Sequence, residues 1–207
     1  MKDARFEKIR EGLYQELLNA NMHFKTFWAL FKAPVETARI RKVYITFFVL
    51  TMRSHNERFY IAVHNVIKPD KDTANFEKLF NYIKSNQKTL NILDLKEIEG
   101  MKSTIQSHET LIGKIASIRD QYIAHNQIKE KHLYEQPLYD YDEGKRLLID
   151  LNNILEKVSI KYDGLSYWHD EENLLNAIPS LNVEDMLRHL TEYRSEQIKK
   201  RRQGVTS

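Results

Sequence analysis

Apolar side chains recur every three or four positions along most of the 207-residue chain, which is the period of one helix face. Prolines, turn residues or polar stretches separate the segments that carry this pattern. The segments predict helices over residues 3–31, from Pro34 to Val66, around 76–83, over 95–126, over 143–161 and after Pro179. The pattern predicts an all-α bundle of about five to six helices. We expect a single domain over residues 1–207, with a flexible basic tail at 199–207.

The composition favours long helices over folds that depend on many turns. The chain contains 6 Gly and 4 Pro, both below the usual frequencies of about 7% and 5%. All-β folds and α/β nucleotide-binding folds use more of both residues, in turns and in phosphate-binding loops. The chain has no Cys, which excludes disulfides, thiolate zinc sites, iron–sulfur clusters and a cysteine nucleophile. A chain without Cys suits a reducing compartment, and we expect a cytoplasmic protein.

The charge balance and the longest apolar run both bear on partners. The net charge of +3 comes from 32 basic and 29 acidic residues, so an anionic partner is permitted but not required. The N-terminus has mixed charge and shows no apolar signal segment. The longest apolar run, Val43 to Leu50, is far shorter than the about 20 residues of a membrane span. We therefore expect no membrane association and predict that this run is buried in a helix core.

The sequence lacks the common signatures of enzymes and metal sites. We find no Gly-rich phosphate loop, no His-Glu-x-x-His pair and no Gly-x-Ser-x-Gly elbow. His169 precedes three carboxylates, Asp170 to Glu172, but adjacent residues rarely bind one metal ion and no second His lies four positions away. We interpret this string as a surface loop and predict no metal site and no cofactor.

One string, from Ile118 to Asn126, combines an Arg with a following acid and a later His at a predicted helix end. Five residues separate Arg119 from His125, and the same spacing separates Arg58 from His64. Chance alone gives about 1.4 pairs with similar spacing in such a chain, so spacing by itself is weak evidence. Two ordinary interpretations remain open. Arg119 could form an ion pair with Glu109 or another helix, and His125 could stabilise a helix C-terminus; Arg58 and His64 could be structural.

Helical phase distinguishes the first pair. With Ile115 at the centre of the apolar stripe, Arg119 lies only about 40° away, so its guanidinium is predicted to point into the apolar face. A buried guanidinium needs a carboxylate, a subunit interface or a polar cleft. His125 lies about 120° round from Arg119 on a continuous helix. The two side chains would therefore meet only at a frayed helix end or across two subunits.

The string Arg119-Asp120 followed by Ala124-His125-Asn126 resembles the Arg-polar-x(n)-His signature of the HEPN superfamily, nearest to its bacterial abortive-infection branch. The order of elements also fits. A long first helix precedes an aromatic second helix containing Arg53 and Arg58, then a short helix and the motif late in the next one. The resemblance spans about Phe6 to Leu190 as pattern and spacing.

The resemblance implies a HEPN-like helical bundle that forms a homodimer, with two copies of the motif facing each other across a cleft. It also implies a metal-independent endoribonuclease that acts as a toxin or antiphage effector, with RNA as substrate and an antitoxin protein as a further partner. The implied roles are phosphate binding for Arg119, proton transfer for His125, orientation by Asp120 and substrate contact by Asn126. Arg53 and Arg58 are expected to line the same cleft. The alternatives are a HEPN-like module that binds protein or nucleic acid without catalysis, and a plain structural bundle.

Overall fold

A computed structural model describes residues 3–32, 37–68, 73–120, 139–166 and 183–202. These residues form only α-helices and short connections, which confirms the predicted all-α class. The helices within the described ranges are α1 (Ala4–Phe31), α2 (Ala38–Val43), α3 (Ile45–Ile67), α4 (Phe76–Ser85), α5 (Gln87–Leu90), α6 (Leu95–Gln106), α7 (Glu109–Ile118), α8 (Tyr141–Asp163) and α9 (Val183–Arg202).

Helix α1 is the centre of the bundle, packed against α3, α4, α8 and α9. It begins where the sequence predicts, because the Asp3 carboxylate accepts hydrogen bonds from the backbone N–H groups of Arg5 and Phe6 and caps the first turn. Its apolar stripe is fully buried from Phe6 through Leu17 to Phe27. Helix α7, which carries the motif, packs on the other partner of α1, helix α3.

The described residues contain nine helices, which corrects the prediction of five to six. The predicted helix over 95–126 is broken at Ser107 and His108, whereas Gly100 and Gly113 lie inside α6 and α7. The Ser107 hydroxyl donates to the Thr104 carbonyl at 2.7 Å and so competes with the helix hydrogen bonds. His108 then bonds Asp150 of α8 at 2.7 Å (Nε2 to Oδ2), which fixes where α7 begins.

Two further local predictions need correction or fall outside the described ranges. The cap of the short helix α4 is not Asp72 or Thr73, because the Asn75 side chain accepts from the Lys78 backbone N–H at 2.9 Å. Helix α9 continues to Arg202, so residues 199–202 of the predicted tail are helical. The predicted loop from 167 to 180, including His169, lies outside the described residues.

The run from Val43 to Leu50 is not the buried core that we predict from its composition. Of its large side chains, Phe48 is buried, whereas five others are between 47% and 59% exposed: Val43, Tyr44, Ile45, Phe47 and Leu50. The run spans the kink between α2 and α3 at Tyr44, and only its Phe48 side packs against Leu187 of α9. A search of the described residues finds no helix able to cross a membrane.

Candidate functional site at the end of helix α7

The first half of the motif lies where α7 ends. Leu111, Ile115 and Ile118 are buried and hold α7 in the core, and Arg119 and Asp120 follow at once. The Arg119 side chain is 37% exposed, and its Nη1 donates to Asp120 Oδ1 at 2.9 Å. Arg119 is therefore half-exposed and paired with its neighbour, which corrects the predicted burial in the apolar face. The α-helical turns end at Ile118, so the ideal helix phase used for that prediction no longer applies to Arg119.

Electrostatics connect the motif with the end of α3. The hydrogen bond from Arg119 is the main cause that lowers the pKa of the Asp120 carboxyl, and the charges of Arg119, His64 and Lys68 lower it further. Asp120 is therefore a carboxylate at neutral pH. The two α3 residues show that positive charge from a second helix reaches the motif, which the spacing of the motif alone does not reveal.

Helix α3 presents the two predicted substrate-binding arginines on different sides. Arg53 and His64 are eleven residues apart and therefore lie on almost the same face, whereas Arg58 is about 140° round from Arg53. Arg53 Nε donates to Glu57 Oε1 at 2.7 Å on the side that carries His64. The structure thus places Arg53 on the α3 face nearest the motif and does not bring Arg58 together with it.

Arg58 lies instead beside a pair of imidazoles between α1 and α3. His23 and His55 are joined by a 2.8 Å Nδ1–Nδ1 hydrogen bond, and both rings are half-buried. Burial, followed by the charges of His55 and Arg58, lowers the pKa of His23 to about 4, and burial also lowers the pKa of His55. Both rings are therefore neutral at pH 7. Sequence reasoning missed His23, although its spacing of three and four residues from Ala20 and Phe27 places it on the buried stripe.

The His23–His55 pair predicts acid sensitivity of folding. As the pH falls below about 6.5, the unfolded chain takes up protons at these histidines while the folded chain does not, so the free energy of unfolding decreases until the folded pKa near 4 is reached. Between pH 7.5 and 5, we expect His23→Gln to reduce this acid loss by about 1 kcal/mol, after discounting for solvent screening of a half-buried group. Urea unfolding of both proteins at the two pH values measures the difference.

The control for this experiment is His189→Gln, which removes an exposed histidine of α9. It should leave the acid loss of the wild type unchanged. If His23→Gln and His189→Gln lose the same stability as the wild type on acidification, the neutral pair contributes nothing to the pH dependence.

Two predicted site residues, His125 and Asn126, lie outside the described residues. Among the residues that the structure describes, no group of three or more His, Asp or Glu side chains could hold a metal ion. The described part of the site therefore consists of Arg119 and Asp120 at the end of α7, with Arg53, His64 and Lys68 contributed by α3.

Comparison with known proteins was made for the whole chain. The model of a HEPN-type family described as AbiU2 matches residues 3–194, which is most of the chain. No curated protein and no solved structure matches it. The match begins in the cap of α1 and ends within α9, so it includes every element described above. It confirms the resemblance seen in the motif, and the chain belongs to the HEPN AbiU2 family of abortive-infection proteins.

Proposed function

We propose that this protein is a metal-independent endoribonuclease that acts as a toxin or antiphage effector in abortive infection. The observation that carries the proposal is the accessible Arg119 guanidinium, held by Asp120 beside the positive charges of His64 and Lys68. An exposed arginine among further cations is suited to a phosphodiester, because its planar fork binds two phosphate oxygens at once.

The proposed reaction uses the 2′-hydroxyl of RNA as its nucleophile. His125 accepts the 2′-OH proton, the 2′-oxygen forms a bond to phosphorus, and the bond from phosphorus to the 5′-oxygen breaks. The His125 of the second subunit gives a proton to the leaving 5′-oxygen. The products are a 2′,3′-cyclic phosphate and a 5′-hydroxyl, so atoms and protons balance.

Arg119 would stabilise the negative charge that develops on the phosphate oxygens. One of its five N–H donors bonds Asp120 at 2.9 Å, and the remaining donors can face the substrate. Because Asp120 has a lowered pKa, it stays charged and keeps the guanidinium in one orientation. Preorganised donors of this kind stabilise a transition state without further reorganisation.

A second copy of the chain is part of this proposal. The five exposed apolar side chains between Val43 and Leu50 form a contiguous stretch of the chain, and monomeric proteins seldom leave such stretches in water. Arg53 follows Leu50 by about one helical turn, so a partner bound to this face would lie near the α3 side of the site. This supports a homodimer whose subunits both contribute to the cleft.

The test is cleavage of labelled RNA by the purified protein in the presence of EDTA. We expect fragments that end in a 2′,3′-cyclic phosphate and begin with a 5′-hydroxyl. Because the reaction needs the 2′-hydroxyl, a substrate with a 2′-deoxy sugar at the cleaved position should stay intact. Intact RNA at high enzyme excess, with a folded dimer, would instead assign the protein to the non-catalytic HEPN modules that bind protein or nucleic acid.

A further inference from the structure

A basic groove runs between the first half of α1 and helix α4, apart from the motif. Its volume is about 910 Å³, and among the described residues that line it the charged side chains are Arg5, Lys8 and Lys78. The other polar groups along it include Asn81, Ser85 and Asn86, which are neutral. Since the whole chain carries almost equal numbers of acids and bases, three cations in one groove are a local concentration of positive charge.

The nearby carboxylates are engaged in bonds of their own. Asp3 caps α1 and accepts the Tyr82 hydroxyl at 2.9 and 3.0 Å. Asp163 binds Arg10 at 2.7 Å, and Glu77 binds Lys102 at 3.2 Å on the far side of α4, at a second cavity. These pairings explain why the cations of the groove are not matched by adjacent acids.

The groove is fixed in shape before any ligand binds. The Arg5 guanidinium lies 5.3 Å above the Tyr82 ring, and Lys78 Nζ donates to the Thr73 carbonyl at 2.6 Å across the floor. Gly12 allows the floor to approach α1, because a Cβ at this position would lie only 2.6 Å from the Ala74 Cβ. The cations therefore sit on a rigid surface, which lowers the entropy lost when they bind a ligand.

The groove lies close to the candidate site along the chain. Thr73, in its floor, follows Lys68 by five residues, so the two positions are at most about 18 Å apart even on a fully extended chain. Lys68 is one of the residues whose charge reaches Asp120. A single strand that leaves the cleavage site past Lys68 would thus meet the groove within a few nucleotides.

We propose that the α1–α4 groove binds the phosphate backbone of single-stranded RNA outside the cleavage site. The choice of RNA as the ligand rests on the proposed ribonuclease function. Arg5, Lys8 and Lys78 bind phosphates by charge, without reading bases, and hold the strand so that one phosphodiester lies at Arg119. Such contacts release counterions, and the affinity falls as the salt concentration rises.

The test is binding of a fluorescent 2′-O-methyl oligoribonucleotide, which cannot be cleaved through its 2′-oxygen, measured by anisotropy at several salt concentrations. We expect the double variant Arg5→Gln/Lys8→Gln to raise the Kd about tenfold or more near 0.1 M salt. The slope of log K against log salt should fall in magnitude by about 1.4, which is about 0.7 for each phosphate contact removed from a single strand. Both side chains are exposed, so the variant should fold, and a thermal melt checks this.

The matched control is Lys96→Gln/Lys145→Gln, which removes two exposed cations that do not line the groove. The proposal is overturned if the two double variants bind RNA equally well, or if the wild type does not bind the oligonucleotide. This outcome is separate from that of the cleavage assay. Selective weakening without cleavage would retain the groove and remove the nuclease, whereas cleavage with unchanged binding would do the reverse.

Discussion

Replacing Arg119 by alanine is expected to lower the rate of RNA cleavage by about 10³-fold or more. The substitution removes the only charged group of the motif's described part that can bind a phosphate oxygen directly, since Asp120 is an acid. It should leave the free energy of unfolding within about 0.5 kcal/mol of the wild type, because an exposed side chain adds little to stability. Single-turnover cleavage in EDTA, beside urea unfolding, separates loss of chemistry from loss of fold.

Two related variants sharpen the result. Arg119→Lys retains the charge but loses the planar fork, and should recover only part of the activity. His125→Ala should lower the rate by about 10²–10⁴-fold, as expected for loss of a general acid or base. The control is Arg146→Ala, at an exposed arginine of α8. Wild-type rates for a folded Arg119→Ala protein would exclude Arg119 from catalysis.

The second large effect concerns folding. Arg10→Met is expected to lower the free energy of unfolding by about 3–5 kcal/mol. Arg10 Nη1 bonds Asp163 Oδ2 at 2.7 Å, and the two side chains are only 6% and 13% exposed. The guanidinium also lies 5.1 Å above the Tyr162 ring. Removing it leaves a mostly buried carboxylate without its counter-charge at the junction of α1 and α8.

Urea unfolding measures this effect, and Lys84→Ala provides the control. Lys84 and Glu99 form an ion pair of the same 2.7 Å length but with side chains 31% and 62% exposed. Its loss should cost at most about 1 kcal/mol, because water screens surface pairs. The double variant Arg10→Met/Asp163→Leu should recover much of the lost stability, since it leaves no lone buried charge. Equal losses for Arg10→Met and Lys84→Ala would mean that burial does not strengthen the Arg10 pair.

Much of the local fold is predictable because it depends on neighbouring residues. The long α1 with its Asp3 cap and the helix α8 follow directly from periodic apolar positions and from residues that favour helix ends. Gly164 ends α8 with φ +73°, a conformation that suits a residue without Cβ. The family also follows from a short local pattern, because Arg119 and its neighbours carry a recognisable signature and the matched family model spans residues 3–194.

The site is only partly predictable, since the sequence cannot tell which helix faces meet. Arg58 and His64 look alike by spacing, yet Arg58 lies by His23 and His64 lies by Asp120. The sequence predicts that Arg119 needs a carboxylate partner, and it leaves open which acid fills that role. Asp120 does so because the chain leaves the regular helix at Ile118, which changes the direction of the next side chains.

By itself the sequence determined the helical class, most helix starts and the family, because these depend on residues within one or two turns of each other. Tertiary structure alone decided the break at Ser107, the exposure of Val43 to Leu50, the His23–His55 pair and the groove beside α4. Each of these depends on contacts between residues distant in sequence, such as His108 with Asp150. Periodicity shows that a helix has an apolar face, but the partner that covers this face, or leaves part of it exposed, is set only when the helices pack together.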